Sequence, residues 1–206
     1  MNKKDSYEIM KKVWDDEIEA INTLKDKISI DTILKVTEMI KNCKKKNGKV
    51  LTTGAGSSSI QARKIAHNFS CIEVPSFFLS TEVAVHGGLG VLQKNDLVIA
   101  LSRGGKSREI LEILPAIKEK GAKLISVTEN EKSELAKAGD ILLKIKIDRE
   151  ADPLNMLATS STAVILAVFD AIIVLMMYQE SYKKEQFAVI HPGGAVGERL
   201  KKKNNK

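Results

Sequence analysis

From Lys49 onward, short apolar and often β-branched runs alternate with stretches of helical spacing. The runs are Val50–Thr53, Ser76–Leu79, Asp96–Leu101, Lys123–Thr128 and Ile141–Ile145. Helical patterns lie between them, near Ile60–Cys71, Glu82–Leu89, Ser107–Lys120 and Glu131–Ala138. A strand that is apolar along its whole length offers no face to water, so it needs a covering layer on both sides. Strands separated by helices pair in parallel, because a parallel connection must cross over. The alternation therefore predicts an α/β fold, a three-layer αβα sandwich around a five-stranded parallel sheet. Right-handed crossovers give a doubly wound, flavodoxin-like strand order, and ligands bind beyond the carboxyl ends of the strands.

The flanks of this block are helical. A long helix is expected over Ser6–Lys27, with Tyr7, Met10, Trp14, Ile21, Leu24 and Ile28 near a heptad stripe. That stripe packs on its own domain or on a partner subunit, with Trp14 as a plausible anchor. Ser29 and Asp31 offer caps for a second helix, Thr32–Asn42, which Asn47-Gly48 closes. Residues 1–46 thus form an N-terminal helical arm, 47–200 one α/β domain and 201–206 a basic tail. Late in the domain, Thr159-Ser160-Ser161-Thr162 is expected to cap a long apolar helix reaching about Tyr178. Asp170 interrupts that helix and it is short for a bilayer, so it reads as a central buried helix and no membrane association is expected. A short helix, Lys183–Val189, precedes His191-Pro192-Gly193-Gly194.

Charge and cysteine content narrow the function classes. The formal net charge is +7, which raises nucleic acid as a partner. Much of the excess sits in Lys44–Lys46 and in the tail, without interleaved aromatics, and only 4% of residues are aromatic. Nucleic acid is therefore not the expected partner, while a basic balance suits an anionic metabolite. Cys43 and Cys71 have no ligand-like spacing, so neither a disulfide framework nor a metal site is expected. No apolar block follows Met1, so the expected location is the cytoplasm.

Two loops carry the strongest chemical signal. In the first, Gly54-Ala55-Gly56 follows an apolar run and Ser57, Ser58 and Ser59 open a helical pattern. Glycines let the backbone approach a ligand, and the free N–H groups at a helix start favour an anion. In the second, Ser102-Arg103-Gly104-Gly105-Lys106-Ser107 stands between the third strand and the next helix. First and third strands are commonly neighbours in a doubly wound sheet, so both loops would face one pocket. Their hydroxyls and N–H groups suit a phosphate monoester, with Arg103 or Lys106 adding charge. Two further segments sit at strand ends. His86 lies beside Gly87, Gly88 and Gly90; Glu150 lies in Arg149-Glu150-Ala151-Asp152-Pro153, either as a general base or in a surface ion pair with Arg149. His67, in mid-helix, reads as a packing or surface residue.

Together these motifs resemble the SIS (sugar isomerase) domain family, in particular its arabinose 5-phosphate isomerase branch. The resemblance runs from about Lys49 to Leu200. It rests on G-A-G-S-S at 54–58, H-G-G-L-G at 86–90, D-L-V-I-A-L-S at 96–102, R-E-A-D-P at 149–153, T-S-S-T at 159–162 and F-A-V-I-H-P-G-G-A-V-G-E-R-L at 187–200. The chain resembles the short form, without the CBS domains that longer members carry. The resemblance implies aldose–ketose isomerisation of a sugar phosphate through an enediol, with no cofactor and no metal. It points to His86, Glu150 and His191 as catalytic residues. Gly54, Gly56, Ser57, Ser58, Ser102, Gly104, Lys106, Ser107, Thr159 and Ser160 would border the phosphate and sugar. It also implies a homodimer or homotetramer, with a histidine reaching the pocket from a neighbouring subunit.

Three positions depart from the family pattern. Ser57 stands where the family usually has Lys, Lys106 where it usually has Glu, and Gly88 where it usually has Asp. A cation lost from one loop and gained on the next suggests that Lys106 takes over the role. The same departures favour the alternative of a non-catalytic phosphosugar-binding sensor.

Overall fold

A computed structural model describes residues 1–201; of the basic tail expected over 201–206, Lys201 ends a helix and residues 202–206 lie outside the described residues. The five apolar runs form one parallel sheet in the order β2-β1-β3-β4-β5. The strands are β1 (Val50–Gly54), β2 (Ser76–Phe78), β3 (Leu97–Leu101), β4 (Lys123–Thr128) and β5 (Ile141–Lys144), each within one residue of its expected limits. β1 pairs with both β2 and β3, and runs beside β3 from Val50↔Leu97 to Gly54↔Leu101. The direction of strand addition therefore reverses between β1 and β3, which is the switch point where the two glycine loops leave the sheet.

Helices bury both faces. The N-terminal helices are α1 (Lys3–Asn22), α2 (Leu24–Lys27) and α3 (Ile30–Lys45). α3 joins α4 (Ser57–Ser70) and α9 (Ser160–Gln179) over one face, around Val36, Ile40, Ile65, Val164 and Ile172. Phe69 of α4 and Phe169 of α9 meet edge-to-face, 6.3 Å between centroids. Truncating either fully buried ring would cost about 3–5 kcal/mol. The other face carries α5 (Thr81–Val85), α6 (Arg108–Leu111), α7 (Leu114–Glu119) and α8 (Glu134–Ala138) over Leu51, Val98, Ala100 and Leu124. α9 is long and apolar enough to cross a membrane by length and composition alone, but half of it is buried in this core. Glu180, just past its end, pairs with Lys44 of α3.

Three expected helices are broken, each for a local reason. The 107–120 stretch splits because Pro115, at the start of α7, has no N–H and crowds the carbonyl four residues earlier. The 82–89 stretch ends at Val85; Gly87 is left-handed at φ +100°, and Gly88–Val91 form a separate 3₁₀ turn. The long N-terminal helix breaks at Thr23, whose hydroxyl bonds the Ala20 carbonyl at 2.8 Å. α3, by contrast, is capped at Ser29 as expected, and Asn47, at φ +55°, ends it. Tyr7, Met10, Trp14 and Ile18 of α1 stay largely exposed, while Ala20, Leu24 and Ile28 pack on the core.

Candidate active site

The carboxyl ends of β1 and β3 put the two expected loops side by side, since Gly54 pairs with Leu101 and Ser102 follows directly. Each loop has a glycine that no other residue replaces. A Cβ on Gly54 would stand 2.6 Å from the Ser58 carbonyl oxygen, so the first turn of α4 could not close over β1. Gly105 is left-handed, at φ +65°, and a Cβ there would collide with Ser133 Oγ. The serines of the first loop do not cap α4. Gly56 holds the N-cap position with no side-chain cap among the described residues, and Ser57–Ser59 are already helical. The Ser58 and Ser59 N–H groups close back on the Ala55 and Gly56 carbonyls, at 3.1 and 3.0 Å, at the positive end of a 14-residue helix. In the second loop, Ser102 Oγ and Ser107 Oγ share a hydrogen bond at 2.9 Å.

A cleft of about 390 Å³ opens on the β1–β2 side of these loops. Gly54, Gly56, Ser59, Arg63, Ser80 and His86 line it. The Arg63 guanidinium lies over the Phe78 ring, 4.1 Å from its centroid. His86 is therefore in the same cleft as the first loop. Lys106 is not. It lines another cleft, with Gly104, Asn130, Lys132, Lys144 and Lys146, on the β4–β5 side. The exchange of a cation between loops expected from the sequence is thus not a transfer within one pocket.

Glu150 is the most constrained side chain at this end of the sheet. It is fully buried, and it forms no surface pair with Arg149, whose Nε instead bonds the Glu150 carbonyl at 3.1 Å. Its Oε1 meets Arg103 Nη1 at 2.7 Å. Its Oε2 accepts from the Thr159 N–H at 3.0 Å, the Thr159 hydroxyl at 3.2 Å and the Ser161 N–H at 3.0 Å. Glu150, rather than the Thr-Ser-Ser-Thr run, therefore caps α9. Burial pushes its carboxyl upward, but the Ser161 side chain and N–H, the Thr159 N–H and Arg103 outweigh it and hold the group below the ordinary carboxylate range. Asn155 Oδ1 accepts the Glu150 N–H at 2.7 Å, tying the following loop to the site.

Thr159 and Ser160 consequently meet a carboxylate and the protein interior rather than open cleft. Ser160 Oγ, Gln61 Oε1 and Thr53 Oγ1 are buried without a hydrogen-bond partner among the described residues. Gln61 Nε2 bonds Thr162 Oγ1 at 2.8 Å, which joins α4 to the start of α9. Glu150 thus places a negative charge at the α9 N-terminus. Sequence reasoning missed Glu129 and Arg63, and named Arg103 only as a source of charge. Neither glutamate–arginine pair has any local signature.

His191 lies at the opposite end of the sheet. α9 starts beside Glu150 and runs about 30 Å over its 20 residues before α10 (Lys184–Ile190) and α11 (Gly194–Lys201) begin. Gln186 of α10 bonds Glu73, and the Tyr182 hydroxyl bonds the Cys71 carbonyl, both in the turn that leads into β2. His191 stacks on Phe187 at 3.9 Å between centroids. Its Nδ1 lies 3.0 Å from the Phe187 carbonyl oxygen. Within one chain it does not join His86 and Glu150. Among the described residues, no three His, Cys, Asp or Glu side chains cluster as a metal site.

A parallel αβα sandwich with two small-residue loops and a polar cleft at its switch point defines a doubly wound ligand-binding domain. The profile of the SIS domain matches residues 44–175. A protein of Pseudomonas aeruginosa named arabinose 5-phosphate isomerase KdsD is 40% identical over 184 residues, 89% of this chain and 55% of that protein. Arabinose 5-phosphate isomerase KpsF of Escherichia coli O6:H1 is 35% identical over 181 residues, 88% of this chain and 54% of that protein. The chain thus spans about half the length of the curated relatives it matches. Among solved structures, an E. coli CFT073 protein in complex with arabinose 5-phosphate superposes with a TM-score of 0.88 at 34% identity, over 93% of this chain and all of that one. A Listeria monocytogenes chain with the provisional name of sugar-phosphate isomerase superposes with a TM-score of 0.91 at 45% identity, over 94% of this chain and 100% of its own. The chain belongs to the SIS domain family.

Proposed function

We propose that this chain is an aldose–ketose isomerase of a sugar phosphate, with arabinose 5-phosphate as the first substrate to test. The observation that carries the reading is one buried, ionised carboxylate, Glu150, beside two convergent loops of small polar residues. Relatives named arabinose 5-phosphate isomerase at 35–40% identity support it. The hydroxyls of Ser58, Ser102 and Ser107 hold the phosphate at the positive end of α4; Gly54, Gly56 and Gly104 let the backbone come close, and Ser57 lies at the same helix start. Glu150 takes the proton from the carbon next to the carbonyl. The C–H electron pair becomes the C=C bond of the enediol, and the carbonyl pair moves to oxygen, which takes a proton from a histidine. Protonated Glu150 then returns its proton to the former carbonyl carbon, which takes up the C=C pair, while the other enediol hydroxyl gives its proton back to the histidine and its electron pair forms the new C=O bond.

His86 is the histidine in the cleft. His191 serves from a second copy, because its own chain holds it at the far end of the sheet. A homodimer or homotetramer is therefore part of this reading, and so is a cytoplasmic location, where sugar phosphates are metabolised. The exposed side chains of Tyr7, Met10 and Trp14 on α1, and of Leu154, Met156 and Leu157 beside Glu150, offer apolar surface for assembly. The test is incubation with pentose and hexose phosphates in D₂O. Carbon-bound deuterium next to the carbonyl, together with formation of the ketose, is the expected result.

One observation favours a second reading, a phosphosugar-binding sensor. Glu150 has no solvent exposure and both of its oxygens are already bonded. Sugar phosphate binding without deuterium exchange would support the sensor and sink the isomerase.

A further inference from the structure

A proton acceptor that water does not touch must be uncovered before substrate reaches it. Glu150 is 0% exposed, and its two oxygens are held unequally. Oε2 is committed to the first turn of α9 by three hydrogen bonds. Among the described residues, Oε1 takes one, from Arg103. Arg103 belongs to the 102–107 loop, and its side chain is 38% exposed, so it stands between the carboxylate and the solvent side. Its Nε is bonded at the same time to Glu129 Oε2, at 3.1 Å. One guanidinium is thus shared by a buried carboxylate and a partly exposed one. Releasing Oε1 would leave Arg103 still paired, which lowers the cost of letting go.

Resting on the isomerase reading, we propose that Arg103 is the positioning residue of this site: it holds Glu150 as an aimed carboxylate and yields Oε1 to the sugar while Glu129 retains it. The charged groups around Glu150 are few. Arg103 and, through it, Glu129 come from the loops after β3 and β4. Arg149, its chain neighbour, bonds the Glu150 backbone oxygen rather than the carboxylate. The first turn of α9 brings only hydroxyls and N–H groups. The Asp152 carboxylate faces the N–H groups of Leu154, Met156 and Leu157. Without Arg103, burial is opposed by α9 alone, and Glu150 shifts toward its neutral form.

The experiment uses the full chain with ¹³C-carboxyl-labelled glutamate, the Glu150 signal being assigned by its loss in Glu150→Gln. Titration is compared for the parent, Arg103→Met, Arg103→Lys and Glu129→Gln, beside pH profiles of arabinose 5-phosphate turnover. Arg103→Met should raise the Glu150 titration and carry the acid limb of kcat/KM upward with it. Arg103→Lys should restore much of the titration but less of kcat, having one charge and no fork. Glu129→Gln should lower kcat more than it raises KM, because Arg103 then has no second anchor. A Glu150 titration unmoved by Arg103→Met, or one that moves while the acid limb stays put, overturns the proposal. If Arg103→Met does not fold, the Lys and Glu129 variants decide by the same two readouts. A parent that turns over no sugar phosphate defeats the isomerase reading, and the titration still decides whether Arg103 governs Glu150.

Discussion

Asp96 and Glu150 are buried to nearly the same depth, at 2% and 0% exposure, at opposite ends of one sheet. Each is paired with a cation, and the pairings differ in reach. Asp96 takes the Lys49 Nζ at 2.6 Å and the N–H groups of Lys49 and Gln93 at 2.9 and 2.7 Å. All of these lie at the starts of β1 and β3, so Asp96 fastens two neighbouring strands where they enter the sheet. Glu150 instead joins the loop after β3 to the start of α9, and Arg103 extends the link to the loop after β4. A buried carboxylate alone is thus no mark of a site. What distinguishes Glu150 is a partly exposed, doubly engaged partner and a position beside the glycine and serine loops beyond the carboxyl ends of β1 and β3.

Breaking the two carboxylates in turn is the largest test of that contrast. Glu150→Gln should reduce turnover by about 10²–10⁴-fold, the range for removing an acid–base group. Asp96→Asn should leave turnover per folded molecule near the parent's and lower the melting temperature. Steady-state rates on protein whose folded fraction is measured by circular dichroism separate the two outcomes; equal losses of rate would erase the contrast.

Glycines at the two ends give the next comparison. A Cβ on Gly48 would collide with the Asn95 backbone carbonyl, and one on Gly105 with Ser133 Oγ, where the backbone is also left-handed. Gly48→Ala should destabilise globally, by the roughly 1–3 kcal/mol of overpacking, and spare ligand affinity. Gly105→Ala should weaken sugar phosphate binding more than it lowers stability, because it distorts the 102–107 loop. Denaturant melts beside calorimetric titration would show whether the effects divide this way.

The acid response sharpens the picture. Glu150 has a depressed folded-state pKa, so its pairing stabilises the fold above the ordinary carboxyl value of about 4.3. That contribution is lost as pH falls through the lower, folded-state value. The stability gap between parent and Glu150→Gln should therefore be widest near neutrality and narrow in acid, which melts across a pH series would follow. Arg103→Met should cost about 2 kcal/mol at neutral pH, below the 3–5 of a fully buried pair because its side chain is 38% exposed.

The smallest effect concerns the thiols. Burial, and then Asp96, push Cys43 up to about 11. In the folded protein it should resist alkylation at neutral pH, while the half-buried Cys71 reacts first; mass spectrometry after brief iodoacetamide treatment distinguishes them.

Strand positions were legible because burial on both faces imposes a continuous apolar run, and each run became a strand within a residue of its expected ends. The two loops were legible because small residues between strand and helix have few other uses. Helix continuity was harder to read. Pro115 and Gly87 break helices that apolar spacing alone would continue, and Thr23 breaks one with its hydroxyl bonded to the Ala20 carbonyl. The serines after Gly56 had the composition of a cap, yet Gly56 takes the cap position, and the Ser58 and Ser59 N–H groups bond back to the Ala55 and Gly56 carbonyls.

What the amino-acid order determined by itself is whatever depends on neighbours along the chain: the five strands, the doubly wound order, and the convergence of Gly54–Ser58 with Ser102–Ser107. What only the tertiary structure decided are relations across the chain. Arg103 and Glu150 are 47 residues apart and carry no shared periodicity, so nothing local pairs them. The length of α9 sets Glu150 at one end of the sheet and His191 at the other. Lys106, next to the right loop in sequence, faces the wrong cleft because the loop turns at Gly105. Charge and hydrogen-bond partners are chosen by where loops end, and the crossovers decide that.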